Sequence, residues 1–418
     1  MGRSVARRAR RVLRALRRAR ELGPRGTTSW ARETLLKRFP DLRLARTALV
    51  VHERSGKSVA SQVREVIALR RGPGRLCPRD YYGYALYDDR RFSFTEKQEF
   101  VSWPSERLSD KLNHAHWREV CDDKLLTYAV LRRLCLPHPE VYAVFHPGSR
   151  TYGPVSCLHT PEDMADFLRR GMTYPFFGKP VKNSWGRGAS SVDAIDHARD
   201  VLLLRTGEEV AVDEYVRQVP VAHAARQHAW RFRASYDSGY LFQERVVPHP
   251  IVDRLTGGRA NSLRMIVLMW PDGPRLFRVA WKAATGGSVT DHLRFEPNVG
   301  CPVDRATGRV ECMVRSRGTA DTAVYGLGYH GTWIEVHPDT GHPFTGVQLP
   351  DWDRAVALCL NAAVAFPGLR YQSWDVVLGA EGPTILELNF NGGISQYPGW
   401  RGFNNAELRQ FMRTVEAG

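Results

Sequence analysis

The sequence predicts an α+β fold, in the sense of a mixed α/β architecture, because strand-rich segments are interspersed with helical ones. Several apolar segments rich in β-forming residues predict strands, and two others carry apolar residues at helical spacing. The third observation is a β-hairpin near the C-terminus, where two apolar runs flank a turn-forming segment. The strand candidates are Tyr240–Val247, Leu263–Met269, Arg275–Lys282 and Val303–Glu311, and the helix candidates are 122–134 and Asp351–Ala365.

The composition is that of a soluble protein whose core is large enough for two or three subdomains. Of the 418 residues, 43% are hydrophobic and 25% are charged. No apolar run approaches the roughly 18–20 residues that cross a bilayer. Seven cysteines are scattered without a C-x-x-C pair, which favours a reducing compartment and argues against a disulfide framework or a zinc site. We therefore predict a cytoplasmic protein.

The net charge of +16 is concentrated at the N-terminus, where residues 1–26 hold ten arginines and one glutamate. Apolar residues recur among these arginines at helical spacing, so this basic, arginine-rich arm could form an amphipathic helix. Such a helix could bind an anionic membrane surface, peripherally at the inner membrane face, or contact nucleic acid. A solvated arm is the alternative. Nothing after the arm is typical of nucleic-acid recognition, so we expect no specific nucleic acid partner.

Residues 27–115 predict a mixed N-terminal domain. Within it, Thr47–Val51 predicts a strand and Ser58–Leu69 predicts a helix. The Ser-Gly-Lys-Ser sequence at 55–58 resembles the end of a phosphate-binding P-loop. That motif needs a glycine five residues before its Gly-Lys pair, and Val51 occupies the position. We therefore interpret the match as coincidental.

Two later helices have recognisable ends. Asp122 can cap a helix that runs through Lys124 and is closed by Pro137. Thr160 opens another helix with proline at its first turn, and Gly171 can end it.

A strand that carries a lysine precedes a glycine loop. Residues 174–180 predict the strand, which includes Lys179 and leads into a loop of small residues at 182–191. Small residues let backbone N–H groups approach an anion closely, and Lys179 can bind phosphate oxygens as a point charge. The loop is informative only together with the hairpin downstream.

The C-terminal hairpin places two carboxylates opposite each other. If its turn of about five residues is centred on Glu381, then Asp375 and Glu387 are directly opposed. Because side chains alternate along strands, Asn389 shares their face. Opposed like charges destabilise a sheet, whereas Mg²⁺ prefers one or two carboxylates with substrate phosphates completing its shell. The spacing therefore favours a metal site, and a solvated face with the register shifted by one residue is the alternative.

Taken together, four features resemble the ATP-grasp superfamily: Lys124 at a helix start, Lys179 with its glycine loop, the strand at 243–246, and the carboxylate hairpin. More narrowly, the chain resembles the sugar-transfer-associated ATP-grasp family over roughly residues 110–405. The segments that carry this narrower resemblance are 243–255, 261–264, 286–291, 303–308, 337–341, 346–350, 374–375 and 387–389.

The resemblance implies an ATP-grasp fold, in which two α+β lobes clasp ATP, with an N-terminal helical or mixed extension. The implied division is a basic arm at 1–26, an N-terminal mixed domain at 27–115, an N-lobe at 116–240, a C-lobe at 241–405 and a C-terminal tail helix at 406–418.

The resemblance also implies roles for individual residues. The phosphates of ATP would be contacted by Lys124 and Lys179 and covered by the loop that contains Ser184, Gly186 and Gly188. The adenine would be met by the strand that contains Gln243, Glu244 and Val246. The metal ligands would be Asp375, Glu387 and Asn389, holding Mg²⁺ with Mn²⁺ as a substitute.

One position departs from the pattern of the superfamily. Several ATP-grasp ligases carry an arginine two residues before the metal-binding aspartate, and here that position is Ser373. Arg264, Lys282 or Arg401 could replace it, and the alternative for each is a surface cation. We take Arg264 and Lys282 as the catalytic candidates, since either could offset charge on the transferring group. Asp291-His292 and a turn at 391–393 could contact the acceptor.

The resemblance implies an ATP-dependent carboxylate–amine ligase that forms an amide through an acyl-phosphate and releases ADP and phosphate. We expect a role in polysaccharide or secondary-metabolite biosynthesis, with small-molecule carboxylate and amine substrates that could be sugar-linked. Ser373 leaves a kinase on the same scaffold as an alternative. A basic protein that binds nucleic acid or membranes is the third interpretation.

Overall fold

Two seven-stranded sheets form the centre of the molecule. The structure is a computed structural model that describes residues 40–102, 107–148, 151–182, 186, 188–218, 239–293, 297–316, 331–391 and 401–417. All neighbouring strands in these residues pair antiparallel, except β1 (Val141–Phe145) and β2 (Ser156–Leu158), which pair parallel. No helix in the described ranges is long and apolar enough to span a bilayer.

The described part of the N-terminal domain, residues 40–102, is helical rather than mixed. Its helices are α1 (Pro40–Ser55), α2 (Val59–Arg71), α3 (Pro78–Gly83) and α4 (Phe94–Lys97). The strand predicted at Thr47–Val51 is wrong, because these residues lie inside α1. Ala48 and Val51 are both buried there, against Leu69. Packing of one helical face therefore overrides the local preference for a strand.

The Ser-Gly-Lys-Ser sequence at 55–58 has a structural role, consistent with a coincidental P-loop match. Ser58 caps α2 by accepting a hydrogen bond from the Ser61 N–H. The Lys57 ammonium lies 2.6 Å from a Glu65 oxygen and 2.7 Å from an Asp89 oxygen. Lys57 therefore forms ion pairs within the N-terminal domain.

The first sheet has the strand order β2-β1-β7-β3-β4-β5-β6. Its remaining strands are β3 (Phe176–Pro180), β4 (Ser190–Asp196), β5 (Val201–Leu204), β6 (Glu209–Ala211) and β7 (Tyr240–Glu244). Because β7 lies between β1 and β3, the chain passes to the second sheet after Glu244 and not at the predicted boundary of 240/241. One face of the sheet packs on α8 (Pro161–Arg170) and α9 (Val212–Gln218).

Short helices lead into the first sheet. They are α5 (Arg107–Leu112), α6 (Arg118–Asp122) and α7 (Lys124–Arg133). The predicted cap of α7 is wrong by one residue, since Asp123 accepts from the backbone of the first turn and Asp122 ends α6. The predicted start of α8 is confirmed, because Thr160 and Asp163 form a reciprocal capping box and Gly171 follows the last turn.

The second sheet has the order β12-β11-β10-β9-β8-β13-β14. Its strands are β8 (Asn261–Trp270), β9 (Gly273–Ala283), β10 (Val299–Val303), β11 (Met313–Arg315), β12 (Thr332–Ile334), β13 (Tyr371–Gly379) and β14 (Gly382–Asn389). The strand predicted at Val303–Glu311 is wrong, because β10 ends at Val303. The Asp304 carboxylate accepts from the Ala306 and Thr307 N–H groups and turns the chain.

The two faces of the second sheet differ. One face is apolar and packs in one core with α10 (Pro250–Thr256) and α11 (Trp352–Ala363). On the opposite face, the part that carries Ile266, Leu268 and Tyr371 is covered by α12 (Ala406–Ala417). The rest of that face, the polar half-face, carries the polar side chains of Ser262, Arg264, Lys282, Ser373, Asp375, Glu387 and Asn389. This polar half-face is turned toward the first sheet.

Candidate functional site

The C-terminal hairpin has the register that its sequence predicts. Asp375 pairs directly with Glu387 across β13 and β14. The predicted turn of about five residues is too long, because pairing continues to Gly379 and Gly382. A bulge at Leu386, between the pairs formed by Asp375 and Val376, restores the predicted opposition of the two carboxylates.

Asn389 joins the two carboxylates on one face. Its amide nitrogen lies 3.2 Å from Glu387 Oε1 and 3.5 Å from Asp375 Oδ2. A half-turn of the amide about its terminal bond would present its oxygen instead, so all three side chains can offer oxygen atoms to one cation. The structure therefore brings the three predicted metal ligands together.

Two cations of the second sheet surround Asp375. Arg264, directly opposite on β8, places Nε 2.8 Å from Oδ1 and donates from Nη2 to Oδ2 at 3.1 Å. Its Nη1 donates to the Ser373 hydroxyl at 3.0 Å. Lys282 Nζ lies 3.3 Å from Asp375 Oδ1. Burial raises the pKa of the Asp375 carboxyl, and attraction to Arg264 and Lys282 offsets only part of that rise.

Lys282 also contacts a second carboxylate. Its Nζ lies 3.3 Å from Asp291 Oδ1, and the Ser262 hydroxyl donates to Asp291 Oδ2 at 2.5 Å. The sequence indicated Asp291 as an acceptor contact, but its pairing with Lys282 could not be read from spacing. Lys282 is buried and bridges the carboxylates of Asp291 and Asp375.

Helix α7 and strand β3 bring two lysines to the same place. Lys124, the first residue of α7, places Nζ 4.0 Å from Glu387 Oε2 and donates to the Val181 carbonyl at 3.3 Å. Lys179 on β3 donates to the Tyr128 hydroxyl at 3.1 Å and to the Leu386 carbonyl at 3.5 Å. The ammonium groups of α7 and of the first sheet thus approach carboxylates of the second sheet.

Burial governs the charge states of this cluster. It lowers the pKa of Lys179 to about 7, and repulsion by Lys124 acts in the same direction. Burial alone would raise the pKa of the Glu387 carboxyl, but attraction to Lys124 and Lys179 outweighs it and the pKa lies below its usual range. A polyanion that enters between the sheets would therefore meet an ionised Glu387 and a lysine ready to take up a proton.

Tyr128 connects these groups, and sequence reasoning missed it. Its hydroxyl donates to the Leu386 carbonyl at 2.6 Å and lies 3.1 Å from Gln243 Oε1. Its sequence signal was its position four residues after Lys124, on the same side of α7. Through Tyr128, a helix and a strand of the first sheet contact the bulge of the second.

The three predicted adenine-binding residues lie where the chain leaves the first sheet. Gln243 is buried beside Tyr128. The Glu244 carboxylate accepts from the Glu140 N–H at 3.2 Å and so holds the start of β1. Val246, past the end of β7, packs against Gly379, where an added Cβ would lie 3.0 Å from its Cγ1.

Two glycines of the predicted phosphate loop adopt left-handed backbone conformations. Gly186 has φ +66° and Gly188 has φ +76°, which favours glycine at both positions. The Tyr240 hydroxyl donates to the Gly188 carbonyl at 3.0 Å and fixes the end of the loop. A Cβ on Gly186 would lie 2.6 Å from Thr290, so this loop touches the segment that carries Asp291. Ser184 lies outside the described residues.

A further candidate for the missing arginine, Arg401, and Asn391 of the acceptor candidate at 391–393 lie apart from the cluster. Arg401 pairs with Glu96 at 3.2 Å and its side chain is 76% exposed, which places it against the N-terminal domain. Asn391 is exposed and its Oδ1 accepts from the Ser109 hydroxyl at 2.7 Å. Residues 392 and 393 lie outside the described ranges.

The residues present fit Mg²⁺ held jointly with a polyphosphate. Asp375 Oδ1 is buried and, among the described residues, accepts no hydrogen bond of good geometry. Such an oxygen is suited to bind a cation. No group of three or more His, Cys, Asp or Glu side chains in the described part of the chain could hold a metal alone. Two carboxylates and an amide, completed by phosphate oxygens, match the preference of Mg²⁺.

Comparisons with solved structures give distant matches. An L-amino acid ligase from Bacillus licheniformis is 14% identical with a TM-score of 0.34, covering 66% of this chain and 42% of that chain. An N5-carboxyaminoimidazole synthase from Aspergillus clavatus is 11% identical with a TM-score of 0.35, covering 77% and 61%. The VanG D-Ala:D-Ser ligase from Enterococcus faecalis is 11% identical with a TM-score of 0.34, covering 81% and 66%. The chain thus spans 42% and 61% of the first two of these structures, and at these scores the matches carry no argument about activity.

No curated protein matches the chain. A family model does: the sugar-transfer associated ATP-grasp model matches residues 104–405. That range contains both sheets, the lysines, the glycine loop and the carboxylate hairpin. It confirms the predicted fold, and the chain belongs to the sugar-transfer associated ATP-grasp family.

Proposed function

We propose that this protein is an ATP-dependent carboxylate–amine ligase that works through an acyl-phosphate and requires Mg²⁺. Family membership supports an ATP-dependent enzyme in general terms. The ligase type, the metal, the residue roles and the substrates are our proposal.

The observation that carries the proposal is the meeting of charges between the two sheets. Lys124 of α7 and Lys179 of the first sheet lie near Glu387 of the second, beside the opposed Asp375. Two ammonium groups across from two carboxylates suit a ligand that is itself polyanionic and bound with a cation. A triphosphate with Mg²⁺ is such a ligand.

In this mechanism the chain mainly binds and positions its substrates. A substrate carboxylate oxygen attacks the γ-phosphorus, the bond to ADP breaks, and the resulting acyl-phosphate has a good leaving group. The amine then attacks the acyl carbon and phosphate leaves. Phosphoryl transfer needs little covalent help from a protein, so positioning and charge neutralisation supply most of the rate. Asp375, Glu387 and Asn389 would hold Mg²⁺, which would neutralise negative charge on the phosphates.

Arg264 supports the ligase over the kinase alternative. The kinase alternative rests on Ser373 occupying the position of an arginine. The Arg264 guanidinium reaches that position from the neighbouring strand, since its Nη1 donates to the Ser373 hydroxyl at 3.0 Å. A guanidinium there can stabilise the oxyanion that forms when the amine attacks the acyl-phosphate.

The substrate class follows the family's association with sugar transfer. We propose small-molecule carboxylates and amines as substrates, one of them sugar-linked, in polysaccharide or secondary-metabolite assembly. Sugars carry many hydroxyls, and the half-face with Ser262, Ser373 and Asn389 offers matching polar partners.

The test measures products from ATP. Purified protein with ATP, Mg²⁺ and pools of carboxylic acids should release ADP and phosphate, and hydroxylamine should trap an acyl hydroxamate. Glu387→Gln should abolish release, whereas Asp272→Asn, in an exposed turn, should not. Formation of AMP and pyrophosphate would exclude the acyl-phosphate route. A stable phosphorylated product without free phosphate would assign a kinase.

A further inference from the structure

We propose that Asp291 is a positioning residue for the metal site, which receives the Lys282 ammonium when Mg²⁺ binds Asp375. The inference rests on the proposed function, because it needs Mg²⁺ bound with ATP at the carboxylate hairpin. Under this proposal, the Lys282 ammonium moves away from Asp375 when Mg²⁺ binds.

Lys282 contacts two carboxylates at equal distances. Its Nζ is 3.3 Å from Asp375 Oδ1 and 3.3 Å from Asp291 Oδ1. The side chain is only 6% exposed, so leaving one carboxylate without keeping the other would be costly. Because both partners are already within reach, the ammonium can leave one carboxylate while it keeps the other.

Mg²⁺ and Lys282 compete for the same oxygen. Asp375 Oδ1 is the buried oxygen that accepts no well-aligned hydrogen bond from the described residues, and it is the oxygen that Lys282 approaches. A magnesium ion sits about 2.0–2.1 Å from its oxygen ligands. A divalent cation at that distance would repel an ammonium group close to the same oxygen, with little solvent to screen it.

Arg264 does not need to leave in the same way. Its Nε also lies 2.8 Å from Oδ1, but Nη2 donates to Oδ2 and Nη1 donates to the Ser373 hydroxyl. These last two bonds do not involve Oδ1. Arg264 can therefore keep orienting Asp375 through Oδ2 while Lys282 leaves Oδ1.

Asp291 is held ready to accept the displaced ammonium. The Ser262 hydroxyl donates to its Oδ2 at 2.5 Å, which leaves Oδ1 directed at Lys282. The neighbouring Thr290 touches Gly186 of the glycine loop. Asp291 thus lies where the phosphate loop meets the polar half-face, and an ammonium drawn toward it stays beside the bound phosphates.

The experiment measures ATP binding by calorimetry over a series of Mg²⁺ concentrations, in wild type and Asp291→Asn. Without a carboxylate at 291, Lys282 stays on Asp375 and competes more strongly with the metal. We expect the Mg²⁺ concentration for half-maximal ATP binding to rise by about tenfold, or about 1.4 kcal/mol. ATP binding without Mg²⁺ should be unchanged, which a merely structural role would not predict.

Two further variants identify Lys282 as the group that moves. In a Lys282→Met background there is no ammonium to displace, so Asp291→Asn should cause no further rise in the Mg²⁺ requirement. Ser262→Ala, which removes the group that orients Asp291, should cause a smaller rise in the same direction. Asp272→Asn is the matched control and should superimpose on wild type, and thermal unfolding midpoints establish that each variant is folded.

Each outcome separates this inference from the proposed function. If wild type shows no Mg²⁺-dependent ATP binding, the proposed function fails. If wild type binds normally but Asp291→Asn requires no more Mg²⁺, the inference alone fails. An equal rise caused by Asp291→Asn in the Lys282→Met background would also overturn it.

Discussion

Replacing Tyr128 with phenylalanine removes a single hydroxyl that joins the two sheets, and we expect both stability and nucleotide affinity to fall. The hydroxyl is buried, donates to the Leu386 carbonyl at 2.6 Å and accepts from Lys179 at 3.1 Å. It also lies 3.1 Å from Gln243 Oε1. The phenyl ring still fills the same space, so the loss is confined to the hydrogen bonds of this hydroxyl.

The magnitude follows from the hydrogen bonds that the substitution removes. A hydrogen bond contributes about 0.5–1.5 kcal/mol net, and a buried group left without its partner costs about 1–3 kcal/mol. Lys179 still lies 3.5 Å from the Leu386 carbonyl, which limits the loss. We therefore expect about 1–3 kcal/mol less stability and, because Lys179 loses an acceptor that orients it, about fivefold to tenfold weaker ATP binding.

Tyr152→Phe is the matched control. The Tyr152 hydroxyl is also buried but makes no hydrogen bond with the described residues, so its removal should cost nothing or stabilise the protein slightly. Denaturant unfolding and calorimetric ATP titration measure both quantities for the two variants. Equal effects of Tyr128→Phe and Tyr152→Phe would refute the reasoning, as would a Tyr128→Phe variant that unfolds at the wild-type denaturant concentration.

Three further expectations follow from the same geometry, and a fourth follows from the charge of residues 1–26, which lie outside the described residues. Burial lowers the pKa of Lys179 to about 7, and bound phosphates favour its charged form, so ATP binding at pH 8 should take up protons. Calorimetry in buffers of different ionisation enthalpy should detect this uptake in wild type but not in Lys179→Met. Glu387→Gln should weaken Mg²⁺-dependent ATP binding by at least about 100-fold, the upper end of losses from supporting residues of metal sites, and an unchanged Mg²⁺ titration would contradict its role as a ligand. Gly186→Ala should weaken ATP binding, since its φ is +66° and its Cβ would meet Thr290 at 2.6 Å, and Thr290→Ala should restore part of the affinity if the clash contributes. Deleting residues 1–26 should remove binding to vesicles that contain anionic lipid, measured by co-sedimentation with neutral vesicles as the control. Equal sedimentation of the full-length protein and the deletion variant with anionic vesicles would exclude the arm as the membrane contact.

The hairpin was predictable because strand alternation fixes which side chains share a face. The opposition of Asp375 and Glu387 could be predicted from their spacing about the turn, and the position of Asn389 on the same face followed from strand alternation. The bulge at Leu386 had a sequence signal that the prediction did not use. Ile385 and Leu388, both buried on the apolar face, are separated by three positions and not by two, which is the spacing that one extra residue produces.

The cations around the hairpin could not be placed from the sequence. Arg264 and Asp375 lie on neighbouring strands, but more than a hundred residues separate them in the chain, and no local pattern specifies which strands pair. Tyr128 was missed because a tyrosine on a helix near a lysine is common. The strand predicted at Thr47–Val51 failed because burial of one helical face, decided by tertiary contacts, outweighed residue preference.

The Leu386 carbonyl, held by Tyr128 and Lys179, is a main-chain atom. Every amino acid placed at position 386 would offer the same oxygen, so a substitution that keeps the bulge also keeps the link between the sheets. The side chain at 386 can therefore change while the contact is kept, whereas changes at the tyrosine or the lysine remove it. A comparison of aligned sequences would single out those two side chains and give no sign of the atom that both of them hold.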